Sequence, residues 1–76
     1  MKRQLPKLIY KLRFLCKDHP DQVLVLKNAA MRIERSMISL GITTPARAAQ
    51  LGVYRDAENV HFRITGEAWD RRREDA

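Results

Sequence analysis

Val23, Leu26, Ala30, Ile33, Met37 and Leu40 follow one another at alternating steps of three and four residues. Nothing else in the chain restricts its fold as strongly. A helix places side chains at that spacing on a single stripe, and a stripe with heptad spacing packs along its length against a second helix. A matching stripe lies just upstream, where Leu5, Leu8, Ile9, Leu12, Leu15 and Cys16 recur at helical spacing. Pro6 is compatible with that helix, because its first turn needs no backbone donor there. Between the two stripes stands "KDHPDQ", with Asp18 or His19 placed to cap the second helix and Pro20 in its first turn. Helices over about residues 5–17 and 20–40, the second stopped by Gly41, should therefore fold back as an antiparallel hairpin.

The second helix carries more apolar surface than one neighbour can cover. Leu24, Val25, Ala29, Met31 and Ile38 widen its stripe, so the C-terminal third or another subunit must pack there. Leu24, Val25, Met31 and Ile38 are the candidate partner or dimer interface. In that C-terminal third, Thr44 followed by Pro45 starts a short helix over about 45–51, which Gly52 ends. Val60, Phe62 and Ile64 then alternate with His61, Arg63 and Thr65, the periodicity of a strand over about 59–65, closed by Gly66. The tail "EAWDRRREDA" is a short returning strand or a last helical turn anchored by Trp69. Its good helix formers favour the helix, and the charged residues 70–76 should fray. The expected fold is one small domain over 1–76, mainly α with a small β element: a helical hairpin, then a short helix and a strand or wing-like hairpin.

At 76 residues the chain buries a modest share of its surface, and small domains usually add disulfides, a metal or a partner subunit. Cys16 is the only cysteine, and His19 and His61 stand far apart. No internal disulfide or recognisable metal-ligand spacing results, no cofactor is expected, and oligomerisation is the remaining route. The unpaired thiol fits a reducing, cytoplasmic compartment. Lys7, Lys11 and Arg13 interrupt the N-terminal apolar residues, which argues against a signal peptide or a membrane span. That basic amphipathic helix can lie on an anionic bilayer, although burial of its apolar side in the hairpin is the simpler use.

Charge is the more informative part of the composition. The net charge is +6, and the six basic residues Lys2, Arg3, Lys7, Lys11, Arg13 and Lys17 account for all of it, since the other nine Lys and Arg balance nine Asp and Glu. These six residues are candidate contacts to the phosphate backbone of a nucleic acid. Arg71, Arg72 and Arg73 are neutralised by Asp70, Glu74 and Asp75 and read as a solvated tail. His19 as a helix-start residue, His61 as the outward residue of a strand and Cys16 on an apolar seam make no reaction centre, so an enzyme is not expected.

"SLGITTPARAAQLG" and "VYRDAENVHFRITGEAW" resemble the turn with recognition helix and the wing of winged-helix transcription regulators. The resemblance spans residues 36–69. It implies that Thr43, Thr44, Arg47 and Gln50 face the major groove, where Arg and Gln pair with guanine and adenine edges. Arg55 and Arg63 would flank the duplex from the wing. The leading expectation is a non-enzymatic basic regulator that binds DNA as a homodimer, with Arg47, Gln50 and Arg63 as candidate groove contacts. The competing expectation is a small adaptor or inhibitor, of the kind phages and mobile elements make, that docks on a larger acidic protein.

Overall fold

The computed structural model describes residues 4–75, the last of them by its backbone alone. Helix α1 spans Lys7–Leu15 and turns Leu8, Ile9, Leu12 and Leu15 inward. A 3-10 turn at Pro20–Gln22 leads into α2, Val23–Leu40, which packs on α1 and buries Leu26, Ala29, Ala30, Ile33 and Met37. The two apolar stripes thus meet as their spacing requires, except at the end of α2, where Leu40 is left exposed. Neither Asp18 nor His19 caps through its side chain: His19 occupies the cap position of the 3-10 turn without a side-chain hydrogen bond. Gly41 ends α2 at φ 68°, and the Ile42 N–H donates to the Met37 carbonyl at 2.8 Å. This left-handed stop also drops Ile42 into the core.

Helix α3, Pro45–Gln50, begins as its sequence dictates. The Thr44 hydroxyl accepts the Arg47 N–H at 3.3 Å, Pro45 fills the first helical position, and Ala48 is buried. Gly52, at φ 67°, then turns the chain.

The strand expected over 59–65 is a helix. Helix α4 spans Arg55–Thr65, and no strand occurs among the described residues. Val60, Phe62 and Ile64 do alternate, but Tyr54, Ala57, Val60, His61 and Ile64 recur at helical spacing over a longer window. That longer pattern is the one buried or half-buried, with Phe62 left exposed. A lone strand would leave its backbone donors and acceptors unpaired, whereas a helix satisfies them within the segment. Asp56 and Glu58 in the first turn complement the helix dipole. Gly66, at φ 76°, supplies the stop.

Helix α4 packs on α2 and covers Ala29, one of the residues widening the α2 stripe. Residues 71–75, where fraying was expected, form a 3-10 turn that ties distant elements together. Arg71 donates to both oxygens of Glu58 on α4, at 3.0 and 2.8 Å. The Glu74 carboxylate accepts the N–H groups of Lys7 and Leu8, at 2.7 and 3.1 Å, and so caps the start of α1.

Candidate nucleic-acid interface

Helix α1 presents its cationic residues because its inward face is fully taken by aliphatic side chains. With about 3.6 residues per turn, Tyr10 and Phe14 fall on the side opposite Leu8, Ile9, Leu12 and Leu15, flanked by Lys7, Lys11 and Lys17. Both rings are 56% exposed. The Lys11 and Lys17 ammonium nitrogens stand 5.9 and 5.5 Å from the Phe14 ring centroid. Cation–π contacts at exposed sites contribute about 0.5–1 kcal/mol, enough to gather the two charges around the ring without fixing them. Among the described residues neither ammonium pairs with a carboxylate. Arg13 differs, since its guanidinium is bound to Glu34 of α2. Lys2 and Arg3 lie outside the described residues.

Lys11 also borders a cleft of about 270 Å³ between α1, α4 and the C-terminal turn, together with His61, Trp69, Asp70 and Arg73. His61 was expected to point outward from a strand and is instead 5% exposed. Its Nδ1 lies 2.9 Å from the Glu67 carbonyl oxygen, which makes Nδ1–H the donor, and its ring meets Trp69 edge-on at 5.5 Å. Burial lowers the His61 pKa, and the charges of Lys11 and Arg73 push it the same way against the Glu67 carbonyl. The imidazole is held neutral as a packing element. Asp70 accepts from the Arg72 guanidinium and backbone N–H, and these bonds hold its carboxyl below the usual range. The Arg73 guanidinium lies 5.6 Å over Trp69. No group of three His, Cys, Asp or Glu suited to a metal ion occurs among the described residues.

The other expected contacts lie apart from this face. Arg47 and Gln50 are exposed on α3, with the Arg47 guanidinium donating to the Gln50 carbonyl oxygen at 3.2 Å. Arg63, on α4, borders a shallow cleft with Arg32, Asp56 and Phe62. Arg47 and Gln50 line neither the cleft that Lys11 borders nor those that Arg63 borders. Tyr10 and Phe14, exposed beside the lysines, and Arg73, which shares a cleft with Lys11, were not among the expected contacts. Two aromatic residues four apart, both off the apolar stripe of a basic helix, were the available signal for the first two. Nothing local predicts that Arg73 approaches Lys11.

Of the residues assigned to an interface, Leu24 is 75% exposed, and Val25, Met31 and Ile38 are also exposed. Leu24, Met31 and Ile38 stand seven residues apart on α2, one per heptad. Cys16 is half-buried with its thiol directed at the Leu12 carbonyl, at 3.6 Å. No helix among the described residues is long and apolar enough to cross a membrane. The chain matches no known family model, no curated protein and no solved structure.

Proposed function

We propose that this protein is a non-enzymatic regulatory protein that binds DNA through the exposed face of α1. One observation carries the reading: Lys11 on α1 and Lys17 in the turn directly after it hold their ammonium groups beside that face with no carboxylate partner among the described residues, and α1 itself contains no acid. Phosphate is the anion that several such groups bind together, because each contact releases a condensed counterion. Lys7, Lys11 and Lys17 are the primary contacts, with Lys2, Arg3 and Arg13 beside them in sequence. Arg13 must leave Glu34 to take part. Arg47, Gln50 and Arg63 are secondary candidates for groove contacts.

The test is anisotropy of a labelled generic duplex, with wild-type protein and with the double variant Lys7→Glu, Lys11→Glu. The variant should bind all sequences more weakly and reduce the steepness of the salt dependence by about two, one per lysine. Unchanged affinity and slope would refute the reading. Assembly as a homodimer through Leu24, Met31 and Ile38 is supported by their exposure and heptad spacing. Sedimentation equilibrium of wild type and of Met31→Lys, Ile38→Glu tests it. A dimer that the variant dissociates is expected, and a wild-type monomer would favour docking of this strip on a different protein instead.

A further inference from the structure

Phosphate contact accounts for the lysines of α1 but not for the two aromatic rings between them. Tyr10 and Phe14 are each 56% exposed on the side of α1 away from the core. The ammoniums of Lys11 and Lys17 stand over the Phe14 ring. A polar residue at either position would serve solubility better, and neither ring belongs to the buried core. Resting on the proposed phosphate-binding role, we infer that Tyr10 and Phe14 are stacking platforms for unpaired bases, so that this face binds single-stranded nucleic acid in preference to duplex.

Three features argue for that occupant. The rings are interleaved with cations, the combination by which proteins hold single strands: charge follows the phosphates while aromatic faces take the bases. Spacing fits as well, since four residues of helix advance about 6 Å and a stacked strand advances about 3.4 Å per nucleotide. The two rings therefore address bases one or two nucleotides apart. Finally, the ammoniums around Phe14 sit on long flexible side chains, so an arriving base displaces them toward the flanking phosphates. In a duplex the base faces are covered by their neighbours, and side chains on a convex helix surface reach only edges and backbone. Duplex would then keep the lysine contacts and gain nothing from the rings.

Anisotropy of labelled single-stranded DNA, single-stranded RNA and duplex DNA of equal length, with wild type, Tyr10→Ala, Phe14→Ala and the double variant, tests the inference. Both positions are exposed and alanine is the best helix former, and circular dichroism checks that each variant is folded. Wild type should prefer the single strands. Loss of each ring should weaken single-strand binding about tenfold, within the range for one stacked base, while duplex affinity stays within about twofold and the salt slope is unchanged. RNA and DNA strands that respond alike place recognition in base faces, and a response confined to one assigns the strand type. Equal binding of single strand and duplex, unmoved by removal of the rings, would overturn stacking and leave the phosphate reading standing. Absence of binding to any of the three would overturn both. Binding of the wild type to phosphatidylserine vesicles that the double aromatic variant loses, with no preference among nucleic acids, would assign the rings to a bilayer and also overturn the inference.

Discussion

Removing the Glu74 carboxylate should loosen α1 from the far end of the chain. Helix α1 starts directly after Pro6, which has no side-chain acceptor, so its first N–H groups need acceptors from elsewhere. Glu74 supplies both, at 2.7 Å to Lys7 and 3.1 Å to Leu8, across 66 or more residues of sequence. Loss of a side-chain N-cap costs about 0.5–2 kcal/mol, and a negative charge at a helix N-terminus contributes about 0.3–1 kcal/mol. The two figures overlap, because a charged acceptor enters both. Ordering the C-terminal turn offsets part of the gain, which leaves about 1 kcal/mol for Glu74→Ala. In a domain of this size that corresponds to a fall in Tm of about 4–8 °C. The assay is thermal unfolding followed by far-UV circular dichroism, with urea unfolding as a second measure at unchanged m-value. Glu74→Gln keeps one acceptor but turns an amide donor toward the other N–H, so most of the loss should persist. Arg72→Ala, which breaks only the exposed pair with Asp70, is the control and should leave Tm unchanged. A Glu74→Ala protein that melts with wild type would refute the capping argument.

Further outcomes follow from the core and from the helical state of residues 55–65. Ile33→Ala, at a fully buried position, should cost about 2–5 kcal/mol through a cavity, read from urea unfolding. Val60→Ala should cost about 1–2 kcal/mol and Phe62→Ser less than about 0.5 kcal/mol; comparable losses would restore the shared face that a strand gives these two residues. His61 is held neutral by burial, so the unfolded chain takes up the proton first, near pH 6.5. Stability should be full above that value and decline as pH falls from about 6.5 toward the lowered folded value. Replacing His61 with Gln should remove that decline from a pH series of urea midpoints.

Much of the hairpin was legible because its signals are redundant. The stripe of Leu26, Ala30, Ile33 and Met37 repeats over many turns, and the glycine stop and the Thr44–Pro45 start are each local and sufficient. Residues 59–65 were misread because six alternating residues outweighed a helical pattern that begins at Tyr54, outside the window. What decides between them is the apolar side of α2 waiting to be covered, which is a tertiary fact. The tail misled for the same reason: "DRRRED" is neutral in sequence, yet Arg71 and Glu74 find partners on α4 and α1 that no local rule connects. At the candidate site, the lysines followed from charge segregation alone. Tyr10 and Phe14 were overlooked because attention to the apolar stripe treats off-stripe aromatics as incidental.

The central claim, that Lys7 and Lys11 of α1 and Lys17 just after it bind phosphate, is tested most directly by titrating salt. Affinity for a generic nucleic acid is measured between 50 and 200 mM monovalent salt, the range over which phosphate contacts reveal themselves. Three lysine contacts on duplex give a slope near −2.7 and a loss of about 40-fold across that range. A slope of that size, flattened by Lys7→Glu with Lys11→Glu, is the predicted result. Affinity that is absent at the lowest salt, or present and indifferent to salt, would contradict the account.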